Sequence, residues 1–211
     1  MEVKTLETGH HKLKSLEGTV RLSAWEGFQS RRGPYNSIDS SKDSDGTITI
    51  TVGEYVEAES LLSVSSEQVN AYNLTVKQQD RIKENILNAL LLTYKQWRQE
   101  YGNGEGDESM PSVTLVSQFE NLIGLSAVHV LNVIKDGVAY VGYEFGCSWD
   151  EEHGLGIMTH NDRVIEIGAA DTSFESWIAE KDIDPVKAEQ ELKNAKSFIL
   201  PKHSKPWWKI W

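Results

Sequence analysis

The stretch EFGCSWDEEHGLGIM, Glu144 to Met158, places Asp150, Glu151, Glu152 and His153 in a row. The chain's single cysteine, Cys147, stands just before them, and Gly154 and Gly156 just after. Three carboxylates and an imidazole are ligand types for zinc or for a harder cation. On a strand, neighbouring side chains point to opposite faces. Asp150 then shares a side with Glu152, and Glu151 with His153. Two ligands from one strand need others from elsewhere. Asp162, Glu166 and Asp171 follow in the chain, and His129 is expected across the sheet. The candidate metal set is Asp150, Glu152, His153 and His160, which would make the chain a metal-binding protein or a metal-dependent hydrolase. His153 and His160 are seven residues apart, an odd spacing that a regular strand sends to opposite faces. No H-x-x-x-H or C-x-x-C pair strengthens the set.

Nucleophilic catalysis has less to build on. The sequence holds no G-x-S-x-G elbow, no phosphate-binding P-loop and no H-E-x-x-H. Cys147 and His153 can pair as thiolate and imidazole only if the chain bends sharply at 150–152. An uninterrupted strand would hold them roughly 20 Å apart. A lone cysteine among aromatics is more often a small buried hydrophobe. The reading leans away from an enzyme and calls for no cofactor.

Two further readings stay open for the same residues. In one, Asp150 to His153 form a turn whose carboxylates accept loop amide hydrogens, with the glycines permitting tight backbone. In the other, Tyr143, Trp149, Asp150, Glu151, Glu152 and His153 form an acidic and aromatic recognition surface.

The elements that position this stretch are read from hydrophobic period and turn chemistry. TVRLSAW, Thr19 to Trp25, and TITITVG, Thr47 to Gly53, alternate as strands do. Arg31 to Gly46, dense in turn formers, reads as a loop between them. Ile82, Ile86, Leu90, Tyr94, Trp97 and Tyr101 recur at steps of three or four and predict one long amphipathic helix over Thr75–Tyr101, its stripe facing the core. Asn103 to Ser109, NGEGDES, stops it. Ser126–Ile134 and Val138–Trp149 are strands joined at the turn pair Asp136-Gly137. GLGIM and RVIEIG continue them as an antiparallel meander. Thr172-Ser173-Phe174-Glu175 has capping-box spacing and predicts a short helix carrying Phe174, Trp177 and Ile178. Asp184-Pro185 opens another, to about Phe198. The fold class is α+β. Residues 1–14 read as a loose leader, and 15–211 as a single domain of two packed halves, 15–102 and 110–211.

The 211 residues carry a formal net charge of −11, which opposes binding to bare nucleic acid and suits a basic protein partner. The longest aliphatic run, Ala89 to Leu92, is far short of a membrane span. The first residues have no apolar core of a secretory signal, and one cysteine allows no internal disulfide. A cytoplasmic location is the default expectation. The last 19 residues hold five lysines, no acid and the ending PWWKIW. That tail is expected to fold back on the acidic body, since exposed tryptophans favour aggregation, with docking on a partner and then a membrane interface as the alternatives.

Residues 143–171 resemble a family of uncharacterised bacterial domains. The marks are an aromatic strand, then Cys-x-Trp-Asp-x-Glu-His-Gly-x-Gly, then a strand ending in Gly-x-Ala-Asp. Cys147, Trp149, Asp150, Glu152, His153, Gly154, Gly156, His160, Gly168 and Asp171 carry the match. Such domains are similar to immunity-type proteins of bacterial toxin systems. The resemblance implies a non-enzymatic, immunity-like or antitoxin-like binder of a toxin, and it carries over no catalytic residue.

Overall fold

The computed structural model describes residues 3–7, 13–31, 33, 37–38, 42–57, 63–101, 106, 108–187 and 189–190. Seven strands form one sheet in chain order. They are β1 (Val3–Glu7), β2 (Leu13–Arg21), β3 (Thr47–Glu57), β4 (Ile123–Lys135), β5 (Val138–Cys147), β6 (Leu155–His160) and β7 (Arg163–Gly168). Every neighbouring pair is antiparallel except β3 and β4, which run parallel in the register Thr51↔His129. A parallel pair needs a crossover. Here it contains two helices, α1 (Ser66–Lys77) and α2 (Gln79–Tyr101). The α+β class and the antiparallel meander of β4 to β7 are as the sequence predicts.

Local chemistry explains the joints. Asp136 and Gly137 both take positive φ, 51° and 76°, the conformation a tight two-residue hairpin demands. Asn161 does the same at the β6–β7 turn, with φ 56°. Ser65 and Gln68 satisfy each other's free amides in a capping box that starts α1.

Two core layers result. Ile48, Ile50, Val52, Val128, Val130, Val141, Tyr143, Phe145 and Ile157 face Ile82, Ile86, Leu90 and Tyr94 of α2 in the larger one. Each such aliphatic side chain contributes about 1.5–3 kcal/mol by leaving water. On the opposite face Leu131, Tyr140 and Met158 meet Ile178 and Ala179 of a short helix, α3 (Ser176–Ile183). Asp182 staples α3 down, accepting from Lys135 Nζ at 2.9 Å, Tyr140 Oη at 2.7 Å and the Arg163 guanidinium at 2.7 and 3.0 Å.

Several expectations need correction. The single helix from Thr75 is two helices that meet at Gln78, and the first, α1, fully buries only Gln68, Ala71 and Thr75, with Tyr72, Leu74 and Val76 partly buried against the core. The far end of α2 leaves the core, and Tyr101 is 73% exposed. Ser23–Trp25 is a tight helical turn after β2, not strand. The Thr172 capping box does not form: residues Ala170–Ser173 make their own 3-10 turn, and Glu175 takes the position before α3. Asp184 does cap, its Oδ1 accepting from the Lys187 amide at 2.9 Å, and residues 185–187 are helical. Val3–Glu7, inside the stretch read as a leader, is the edge strand β1. Most of 103–109, part of the 31–46 loop, and the 191–211 tail lie outside the described residues.

Candidate functional site

The acidic cluster is a turn between β5 and β6. Asp150 organises it: Oδ1 accepts from the His153 amide and from His153 Nδ1, both at 3.0 Å. The Asp150 carbonyl accepts from Gly154 N at 2.9 Å, and Gly154 has φ 64°, which glycine takes without strain. The His153 carbonyl accepts from Ala170 N at 2.9 Å, tying the turn to the segment after β7. Asp150 raises the proton affinity of His153 through its hydrogen bond and its charge. From below, the almost fully buried Arg31 donates to the Cys147 carbonyl at 3.3 Å and to Glu151 Oε1 at 3.2 Å. All three of Glu151, Glu152 and His153 are exposed, but Glu151 is tethered to the body of the protein through Arg31.

Cys147 is fully buried, and its thiol donates to the Asp150 carbonyl at 3.4 Å. Burial pushes its pKa up to about 12, so it carries no thiolate near neutral pH. His153 points to Asp150, and the Cys147–His153 pair does not form.

Tyr143 does not join the recognition surface. It is 1% exposed, because β5 alternation sends Val141, Tyr143 and Phe145 into the core beside α1 and α2. Burial also raises its hydroxyl pKa. Trp149 is half-buried, its ring 4.9 Å from that of Tyr94. Trp149 and Asp150 line a cavity of about 310 Å³ together with Trp97, Tyr101 and Met110. The aromatic wall comes from the last turns of α2, which the helical period assigns to the core.

The metal set is not brought together. His160 ends β6, five residues beyond its start, so it sits roughly 17 Å along the strand from the turn. It is buried against the Tyr140 ring at 4.6 Å, with Nε2 at 2.9 Å from the Lys135 carbonyl. Among the described residues no three His, Cys, Asp or Glu side chains are grouped to hold a metal ion.

A second constellation lies on the α3 face of the sheet. Thr51 Oγ1 is 2.8 Å from His129 Nδ1, and His129 Nε2 is 2.8 Å from Glu144 Oε2. A carboxylate only accepts, so Nε2–H donates to Glu144. The three come from β3, β4 and β5, at positions whose chain neighbours (Ile50, Val52, Val128, Val130, Tyr143, Phe145) face the larger core. They line a cavity of about 420 Å³ with Ser15, Leu131 and Phe174. Gly142 makes this arrangement fit. A side chain there would meet the Ser173 carbonyl at 1.5 Å. Its absence lets the 170–173 turn lie on the sheet, and Phe174 then rests 5.5 Å from the His129 ring.

A family model for a domain of unknown function matches residues 16–174. The chain belongs to this family, DUF6985. The match takes in the turn and, of the groove, Thr51, His129, Leu131, Glu144 and Phe174, but begins one residue after Ser15. No curated protein and no solved structure matches the chain. In this DUF6985 member, no helix among the described residues is long and apolar enough to cross a membrane. Sequence reasoning placed His129 across the sheet but missed Ser15, Thr51, Glu144 and Arg31. The signal available was polar side chains recurring on the outward positions of strands whose inward positions are aliphatic.

Proposed function

We propose that the protein is a non-enzymatic binding module whose contact surface is the aromatic cavity and acidic turn around Trp149 and Asp150, and whose partner is a basic protein. The observation that carries this is the cavity itself. Trp97, Tyr101, Met110 and Trp149 supply polarizable and aromatic walls, and Asp150 supplies a carboxylate at the same opening. A lysine or arginine side chain fits both, its stem against the rings and its charge at Asp150. Glu152 and the net charge of −11 add attraction at longer range. An immunity-like or antitoxin-like role in a bacterial cytoplasm is the version of this reading that the resemblance over 143–171 supports.

The test is capture of partners from the source organism by immobilised protein at low and raised salt, beside Trp149→Ala and the double variant Asp150→Asn, Glu152→Gln. Glu151 is left intact because Arg31 holds it. A basic partner lost in both variants and weakened by salt is the expected result. Equal capture by wild type and variants would sink the assignment of the surface.

A further inference from the structure

The His129 groove has no part in that reading, and it holds features that a plain polar patch on a sheet lacks. Ser15 is 2% exposed, and its hydroxyl is the one buried side-chain polar atom, among the described residues, with no hydrogen-bond partner. A buried hydroxyl left so is costly, and a ligand that bonds it removes the cost. Ser15 lines the same cavity as Thr51, His129 and Glu144. Both ring nitrogens of His129 are engaged, which fixes the imidazole and leaves Glu144 Oε1 as an acceptor. Leu131 and the 49% exposed Phe174 ring give an apolar wall.

We propose that this groove binds a neutral, hydroxyl-rich small molecule of about monosaccharide size. A volume near 420 Å³ lies at the small end of ligand pockets. Ser15 and Thr51 hydroxyls can each donate or accept, and Glu144 accepts only. Ligand hydroxyls, which also do both, can satisfy all of them at once. The C–H face of such a ring packs on Phe174 and Leu131. An anion is disfavoured by the Glu144 carboxylate. The carboxylate would also attract a cation, but a lone ammonium has only donors and leaves no acceptor for the hydroxyl protons of Ser15 and Thr51, and titration with a primary amine tests it.

The experiment is calorimetric titration of the full chain with neutral hexoses and hexitols, beside a primary amine and a sugar acid, each up to ~10 mM. Amide NMR shifts locate any binding. The expected result is a dissociation constant of about 1 mM or tighter for at least one neutral polyol, with shifts centred on Thr51, His129 and Glu144. Glu144→Gln and Phe174→Ala should weaken it at least tenfold, about 1.4 kcal/mol. Ser15→Ala distinguishes a ligand contact from a packing residue: affinity falls while the melting temperature of the free protein holds or rises. Binding of the amine or the acid alone, shifts elsewhere, or no polyol binding by folded protein overturns the proposal.

Discussion

Two histidines of this protein each pair with a carboxylate, and the two pairs differ in almost everything else. His153 and Asp150 are three residues apart on one turn, with side chains 66% and 41% exposed. His129 and Glu144 are 15 residues apart on neighbouring strands, 16% and 24% exposed. The local pair is made by a turn that any exposed loop can form, and solvent screens it. The distant pair exists only because two strands hold one register, and it lies under Phe174 beside a buried, unpartnered serine. Proximity in sequence marks a chemically dense segment. Proximity across strands gives a site whose geometry the whole sheet enforces.

The 170–173 turn touches both regions. Ala170 donates to His153, and Ser173 lies on Gly142 with Phe174 over His129. Gly142→Ala should therefore have the largest effect, since added carbon meets backbone and not a movable side chain. A loss of about 3 kcal/mol or more is expected in urea unfolding, with amide shifts at both His129 and His153. A loss below about 1 kcal/mol would mean the turn lifts freely, and the two regions would then be uncoupled.

The next effect belongs to the clamp on α3, which follows Phe174 directly. Three donors hold the Asp182 carboxyl well below the usual carboxylate range, Arg163 contributing most. A depressed pKa gives stability that is present above the unfolded value of about 3.9 and lost as pH falls toward the folded one. Asp182→Asn should cost about 2 kcal/mol at pH 7. The gap to wild type should shrink below about pH 4. A gap constant from pH 7 to pH 2 would show that the carboxylate's charge is not what holds α3.

The two pairs can then be compared directly. His129→Ala should cost about 1–2 kcal/mol, since it strips partners from Thr51 and from a half-buried carboxylate. His153→Ala should cost clearly less, since its pair is exposed and screened by solvent. Equal costs would erase the distinction between local and sheet-enforced pairing.

What the sequence made legible follows the same division. Alternation and the Asp136-Gly137 turn place β4 and β5, and a strict period places Ile82 to Tyr94 of α2. All are short-range signals. Helix α1 escaped because the residues it buries fully, Gln68, Ala71 and Thr75, carry little apolar surface. The parallel β3–β4 pairing escaped because no local pattern names a partner strand more than 70 residues away. The turn at Asp150–His153 was visible in one line of sequence, yet its buried brace, Arg31, was not. The groove was invisible for the same reason: residues 15, 51, 129 and 144 become neighbours only through pairing. Tyr143 misled because an aromatic beside acids looks like an interface until strand alternation is followed to the core.

The smallest effect tests the local pair by itself. The His153 imidazole gains its raised pKa first from the hydrogen bond to Asp150, then from its charge. A raised pKa means the pair helps most below the unfolded value of about 6.5, and the help disappears as pH rises through the folded value. Asparagine at 150 can still accept from the His153 amide, so the turn survives while the charge goes. The His153 ring signals, followed by NMR against pH, should therefore show a lower midpoint in Asp150→Asn than in wild type. Salt near 1 M should lower the wild-type midpoint in the same direction, because an exposed pair is screened at a Debye length of about 3 Å. If neither change moves the midpoint, Asp150 does not act on His153 in solution. The turn is then held by the backbone bonds and the Asp150 bond to the His153 amide, and the Asp150 charge is left free of the imidazole for a partner.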